Sequence, residues 1–201
     1  MFKRRKIKTE IRRQQIIDAA LQTVAERGIR GLTISSIAQS VGITNSNLYR
    51  HFRCKDDVLI AILVMIEDNL KHIIVSAIGK NSSAVSCLEF IFFQHIDFLS
   101  RHHGIPRFVF SDEMYSCGSK AVMSHLKYIL RWYMQEIRRI IILGIDKGEL
   151  HKDIDTDAAV MAFLGLIQST AFQWALFGFS FSLKKRGDKI WSIYRDGILS
   201  N

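Results

Sequence analysis

Residues 33–52 read TISSIAQSVGITNSNLYRHF and have the spacing of a helix-turn-helix. Such a motif needs a small residue where its two helices cross, and a glycine in the turn, where a positive φ costs little. Ala38 supplies the small residue, and Gly42, four positions later, supplies the turn. The apolar residues that anchor one helix to the other are Ile37, Val41, Ile43 and Leu48. The stretch therefore predicts two short helices, which begin after Thr33 and Thr44.

The excess positive charge of the chain lies entirely around this motif. Residues 1–55 contain 12 lysines and arginines and three acidic residues, a balance of +9 that equals the net charge of all 201 residues. Residues 56–201 contain 16 basic and 16 acidic side chains. This confinement favours a nucleic-acid partner over an ordinary helical hairpin. A basic tail that only aids solubility would explain residues 1–8 alone.

The rest of the sequence is patterned as helices. An apolar stripe from Ile17 to Val24 predicts a first helix that is capped at Thr9 and ended by Gly28. No alternating strand pattern and no internal repeat is present, so we predict an all-α fold. The later predicted helices cover about residues 55–77, 83–101, 119–147, 158–183 (capped by Asp155) and 185–199, with a short segment opened by Pro106. The predicted parts are a flexible basic arm (1–8), a helix-turn-helix head (9–55) and a helical body (56–201).

Residues 158–183 contain no charged side chain and are long enough to cross a bilayer. However, polar side chains from Gln168 to Gln173 lie in the middle of this segment, where hydrocarbon would offer them no partners. We therefore expect a helix of a soluble protein, buried on two sides. The three cysteines have no short spacing, and the basic start has no apolar stretch behind it. Both features favour a reduced, cytoplasmic location.

Residues 9–60 resemble the DNA-binding domain of TetR/AcrR-family regulators. The resemblance rests on the ending AERG of the first amphipathic helix, on GLTISSIAQSVGIT and on LYRHFRCKDDVL. One position departs from the family pattern, because Ser46 stands where members often have a glycine or another small residue. The resemblance implies a ligand-responsive regulator, most often a repressor, that binds a palindromic double-stranded DNA operator as a homodimer.

The N-terminal ends of the two motif helices carry the first group of expected DNA contacts. Thr33 and Thr44 stand where hydroxyl and backbone N–H groups hold phosphate oxygens. Asn45, Ser46 and Asn47 occupy the first turn of the recognition helix. Side chains of this kind bond to base edges in the major groove, so these three residues are expected to read sequence.

The residues after the first turn of the recognition helix form the second group. Tyr49, His51 and Lys55 resemble the family's phosphate contacts, and half-buried packing is the alternative for Tyr49 and His51. Arg50 is expected to contact a base or a phosphate. The basic run in residues 3–8 is expected to follow the DNA backbone or enter the minor groove.

The resemblance also implies that the body binds a small effector and dimerises through its last two helices. The candidates for the dimer interface are Phe163, Ile167, Trp174, Phe177, Ile193 and Tyr194. The candidates for an effector cavity are Phe92, His95, Phe110, Met114, Tyr115, His125, Tyr133, Gln168 and Phe172. Packing in the core of one chain is the alternative for both sets. Few of these side chains carry charge, so we expect a largely apolar effector.

Other functional classes have weaker support in the sequence. No Gly-rich phosphate loop, nucleophile elbow or helical zinc-peptidase motif is present, so we expect no enzyme. His95, His102 and His103 share no ligand spacing with a carboxylate, and Cys87 and Cys117 have no evident cationic setting. We therefore expect neither a metal nor a cofactor. The remaining alternatives are an architectural DNA-binding protein and a metal- or redox-responsive regulator without an organic effector.

Overall fold

Helices dominate the structure, a computed structural model that describes the backbone of residues 2–112, 114 and 119–199 and their side chains from Thr9 onward. In chain order the helices are α1 (Phe2–Arg27), α2 (Ile34–Val41), α3 (Asn45–Tyr49), α4 (Lys55–Lys80), α5 (Ala84–Arg101), α6 (Gly104–Val109), α7 (Lys120–Asp146), α8 (Thr156–Leu176) and α9 (Leu183–Ile198). A short 3-10 helix, Ile29–Gly31, links α1 to α2. Within the described residues the backbone forms no strand, only an isolated bridge between Leu150 and Leu199. The predicted all-α fold is confirmed.

The first helix is longer than the sequence pattern predicts. It begins at Phe2, so the N-cap predicted at Thr9 is wrong. The residues before Thr9 include no glycine or proline and are mostly lysine and arginine, which are good helix formers. The predicted end is confirmed, because Gly28 follows α1 with a φ of 68°.

The chain packs into two compact units. The first comprises the described parts of residues 1–66 and 102–126, and the second those of residues 67–101 and 127–201. Both α4 and α7 continue from one unit into the other. The predicted division into arm, head and body concerns functional parts, and it stays a prediction.

The core of the first unit joins α1 to the helix-turn-helix. The apolar stripe of α1 is buried, as are Leu48 and Phe52. Helix α6 belongs to the same unit and packs against α1. It begins at Gly104, two residues before the predicted start at Pro106. Proline is tolerated in a first helical turn because the N–H that it lacks would have no intrahelical acceptor there.

An aromatic cluster forms the centre of the second unit. The ring of Phe92 on α5 lies with its centroid 6.0 Å from that of Phe163 on α8 and 5.5 Å from that of Trp191 on α9. Tyr194 completes the cluster, 5.6 Å from Phe163. These rings are buried, as are Leu88, Ile96 and Leu99 on α5.

Helix α8 begins where the sequence predicts but ends earlier. The carboxylate of Asp155 accepts a hydrogen bond of 2.9 Å from the N–H of Ala158 and caps the helix. The helix ends at Leu176, because Gly178 takes a φ of 63°. By length and composition α8 would be able to cross a membrane. Half of its apolar window is buried inside the protein.

Candidate nucleic-acid interface

The turn between α2 and α3 has the geometry that the sequence predicts. Gly42 ends α2 with φ 71° and ψ 37°, the left-handed conformation. The N–H of the next residue, Ile43, donates to the carbonyl of Ala38 at 2.9 Å. A Cβ at Gly42 would meet no atom within 4 Å, so it is the backbone conformation that favours glycine here.

Both helix N-termini of the motif are held by threonine caps. Thr33 Oγ1 accepts from the N–H of Ser36 at 3.0 Å, and Ser36 Oγ accepts from the N–H of Thr33 at 2.9 Å, which closes a capping box. Thr44 Oγ1 accepts from the N–H of Asn47 at 3.2 Å. Both threonines remain exposed. Their hydroxyl groups therefore orient the two helices, and the predicted phosphate contacts would be made from these fixed N-termini.

The start of α3 presents three polar side chains in a row. Asn45 and Ser46 are exposed and Asn47 is partly exposed, whereas Leu48 is fully buried. Asn45 Nδ2 donates to the hydroxyl of Ser35 on α2 at 3.0 Å. This partner was not predicted from the sequence, because an exposed serine on a helix gives no signal of its own. The bond orients one of the three predicted base readers.

The residues from Tyr49 to His51, at the end of α3 and directly after it, differ in how much of each side chain is accessible. Tyr49 is 52% exposed and Arg50 is also exposed. His51 is half-buried, and its Nδ1 atom is buried without a hydrogen-bond partner. Burial lowers the pKa of His51 below 6.5, and the charges of Arg13 and Arg12 lower it further. Both effects favour the neutral form of the imidazole over the charged form.

Lys55 has an internal partner that its predicted role did not include. Its Nζ atom donates to the carbonyl oxygen of Ile29 at 3.0 Å. The bond ties the first residue of α4 to the 3-10 helix after α1. A long flexible side chain can reach several acceptors, so sequence spacing does not reveal which one it meets.

Among the predicted effector residues, the structure brings His95 and Tyr133 together. His95 Nδ1 lies 3.1 Å from the hydroxyl oxygen of Tyr133. Burial lowers the pKa of His95 to about 4 and raises that of Tyr133, so both are neutral near pH 7. In the same unit Gln168 is half-buried, Phe172 is 47% exposed and Phe92 belongs to the buried aromatic cluster.

The other predicted effector residues lie elsewhere in the chain. Met114 is buried in the first unit, where Phe110 and His125 are half-buried. Tyr115 lies outside the described residues, as does Cys117. Among the described residues no group of three histidine, cysteine, aspartate or glutamate side chains is placed to hold a metal ion.

The predicted dimer residues divide into buried and exposed groups. Phe163, Ile167, Trp174 and Tyr194 are buried within their own unit. The Trp174 indole N–H donates to the carbonyl of Phe181 at 2.9 Å, and the Tyr194 hydroxyl donates to that of Ala159 at 3.0 Å. In contrast, Phe177 is 61% exposed and Ile193 is 74% exposed.

A further set of apolar residues on α8 and α9 was not predicted. Met161 is 62% exposed and Leu176 is 67% exposed. A groove of about 640 Å³ runs beside Ile193 and is lined by small residues of α8 that include Ala158, Ala162 and Gly165. We call the exposed apolar residues of α8 and α9, together with this groove, the α8–α9 face. From residue 158 onward α8 contains no charged side chain, so its sequence did not indicate which side faces the core.

Two family profiles together match most of the chain. The profile described as bacterial regulatory proteins, tetR family, matches residues 16–62, which contain the helix-turn-helix. The profile described as YsiA-like protein, C-terminal region, matches residues 65–197. The chain belongs to the TetR family. Members of this family are DNA-binding transcriptional regulators, which agrees with the confined charge and the geometry of α2 and α3.

Relatives in the TetR family extend over the same length. The chain is 23% identical over 184 residues to the fatty acid metabolism regulator protein of Bacillus subtilis, covering 92% of this chain and 94% of that one. It is 27% identical over 192 residues to the HTH-type transcriptional repressor KstR2 of Rhodococcus jostii, covering 94% and 92%. The structure of the regulator FadR from Bacillus subtilis, in complex with stearoyl-CoA, matches with a TM-score of 0.75 at 22% identity, covering 92% and 98%. These TetR-family relatives are regulators rather than enzymes.

Proposed function

We propose that the chain is a cytoplasmic homodimeric repressor that binds a palindromic DNA operator and releases it when a small, largely apolar effector binds. The observation that carries the proposal is the exposed polar start of α3. It is held by the Thr44 cap, by the buried Leu48 and by the bond from Asn45 to α2. A pre-organised helix start with amide and hydroxyl groups fits the donor and acceptor pattern of the major groove.

The charge of the first unit supports a DNA partner. Basic side chains are concentrated in residues 1–55, whereas the remaining residues are balanced in charge. In this proposal the exposed Tyr49 and Arg50 accompany the base readers, and the basic run in residues 3–8 contacts the backbone of the operator. Such contacts release counterions, so binding weakens steeply with salt.

The α8–α9 face supports the homodimer. Apolar surface is exposed by Met161, Leu176 and Ile193 on the two helices through which members of the family are expected to pair, and by Phe177 directly after α8. Exposed apolar surface of this extent marks an interaction site, and small residues beside it allow close approach of helices. A twofold dimer would place two copies of α3 in successive major grooves, about 34 Å apart.

The neutral pair in the second unit supports a largely apolar effector. His95 and Tyr133 are both uncharged near pH 7, so they would offer hydrogen bonds without a formal charge. The Bacillus subtilis matches point to the same chemistry, because the relative is named for fatty acid metabolism and the FadR structure contains stearoyl-CoA. An acyl-CoA combines a long apolar chain and a neutral thioester carbonyl with an anionic coenzyme A group, and we propose this class as the effector, recognised through its apolar acyl part.

Release of DNA by an acyl thioester tests the proposal. Full-length protein bound to fluorescent operator DNA, obtained by selection from random sequences, is titrated with stearoyl-CoA, and coenzyme A alone serves as the control. We expect the anisotropy to fall with stearoyl-CoA and to stay constant with coenzyme A, because only a ligand with different affinity for the two states shifts their equilibrium. Unchanged anisotropy with stearoyl-CoA and with other acyl thioesters would favour the architectural alternative.

A further inference from the structure

Arg13 on α1 reaches into the DNA-binding head. Its Nη1 atom donates to the carbonyl oxygen of His51 at 2.5 Å. Its Cζ atom lies 4.2 Å from the centroid of the Phe52 ring. Both partners follow the recognition helix α3 within three residues. Arg13 therefore ties α1 to the chain that leaves the C-terminal end of α3.

Helix α3 is too short to fix its own orientation. It spans five residues, so it has few intrahelical hydrogen bonds. At its N-terminal end the Thr44 cap and the bond from Asn45 to α2 hold it. At its C-terminal end Leu48 and Phe52 are buried, but apolar burial is non-directional. The bond from Arg13 supplies a directional, charge-assisted restraint at that end.

Only a guanidinium is suited to both contacts that Arg13 makes. Its planar group lies over the Phe52 ring while an edge N–H donates to the His51 carbonyl. An ammonium is a compact point charge that does not stack on a ring in this way. The two contacts also direct part of the guanidinium toward protein atoms and leave fewer of its N–H groups for a phosphate.

We propose that Arg13 is a positioning residue for DNA recognition, which sets the orientation of α3 from within the head instead of binding a phosphate. The inference rests on the proposed function, in which α3 reads the operator. Arg13 lies in the basic part of the chain, so its sequence position alone would group it with the phosphate contacts. A phosphate contact differs from a positioning residue because its loss lowers the salt dependence of DNA binding.

Two charge-conserving variants test the positioning role. Arg13→Lys and the neighbouring Arg12→Lys are prepared in the full-length protein, and circular dichroism establishes a temperature at which both are folded. Affinity is measured for the selected operator and for a scrambled duplex of equal composition. We expect Arg13→Lys to lower the ratio of operator affinity to scrambled-duplex affinity about tenfold, because a hydrogen bond to a charged group is lost. Arg12→Lys should keep the ratio within about twofold of wild type.

A neutral variant, Arg13→Met, separates positioning from phosphate binding. Positioning predicts a lower ratio with an unchanged slope of log affinity against log salt, whereas loss of a phosphate contact lowers the slope by about one. The inference would be overturned if Arg13→Lys kept the wild-type ratio of operator affinity to scrambled-duplex affinity, whatever its melting temperature. It would also be overturned if Arg13→Met kept that ratio but lowered the slope of log affinity against log salt. If the wild-type protein itself shows no preference for the operator, the proposed function fails and the inference fails with it.

Discussion

Gly104 lies so close to Leu21 that a Cβ built on the glycine would be 2.1 Å from the leucine carbonyl oxygen. The contact brings the first turn of α6 against the backbone of α1. Three residues further along α6, Arg107 Nη1 donates to the carbonyl oxygen of Ala25 at 2.5 Å, in the last turn of α1. Helix α6 therefore contacts α1 at two places, and α1 packs against the helix-turn-helix.

The close contact predicts that Gly104→Ala destabilises the protein. The added methyl group would force α6 and α1 apart, and overpacking of this kind costs about 1–3 kcal/mol. Urea unfolding measures the change in free energy. The control is Gly79→Ala, where a Cβ would meet no atom within 4 Å. Because alanine is the better helix former, the control should be neutral or stabilising by up to about 1 kcal/mol. Equal destabilisation by the two variants would show that the α1–α6 contact is not tight.

The exposed start of α3 predicts a base-specific effect of Asn47→Ala. Loss of a paired contact should cost about 1–3 kcal/mol at particular base pairs. Lys55→Ala should instead weaken binding on all sequences to a similar degree, through phosphate contact or through its bond to Ile29. Affinities for a set of operators with single base-pair changes measure both effects. A uniform loss with Asn47→Ala would remove Asn47 from the base readers.

The α8–α9 face predicts that Ile193→Asp breaks the dimer and abolishes operator binding. A charge there would have to be desolvated when two copies pair. Ile193 is a better site than Trp174, since Trp174 is buried and a charge at that position would unfold the second unit. The control is Val75→Asp on α4, because the Val75 side chain is 70% exposed and that of Ile193 is 74% exposed. Analytical ultracentrifugation should find a monomer for the first variant and a dimer for the second. A wild-type monomer that binds its operator tightly would contradict the dimer.

Burial of His95 predicts a loss of stability at mildly acidic pH. Its pKa is about 4 in the folded protein and 6.5 when unperturbed. Between these values the unfolded chain binds a proton that the folded protein does not bind, so stability falls as the pH is lowered through this window. His95→Gln keeps a polar side chain but does not titrate. Urea unfolding at about pH 7.5 and about pH 4.5 should show a smaller loss for the variant than for wild type. Equal losses would mean that His95 is accessible to protons in the folded protein.

The sequence predicts most helices because their signals are local. The cap at Asp155, the positive φ of Gly42 and the buried stripe of α1 depend on residues within one or two turns. The start of α1 was not predicted, because the lysines and arginines in residues 2–8 are compatible with a helix but do not by themselves indicate one. A local signal defines an element, but it does not define the partner of that element.

The candidate sites depend on partners far apart in the sequence, and there prediction from sequence was weaker. The bonds of Arg13 to His51 and of Lys55 to Ile29 join residues 38 and 26 positions apart. Their long side chains look the same in sequence whether they meet a phosphate or a carbonyl. The α8–α9 face was only partly predicted, since α8 is apolar on its buried and exposed sides.

Selection from random double-stranded DNA is the most direct test of the central claim that the chain is a dimeric, sequence-specific DNA-binding regulator. Full-length protein is incubated with a random pool, and bound duplexes are amplified and sequenced over several rounds. We predict enrichment of a palindrome whose half-site centres lie about one helical turn, or a small multiple of it, apart. Asn47→Ala should change the preferred bases within each half-site without changing the spacing. A bound pool with no enriched sequence, or with one unrepeated half-site, would contradict the account.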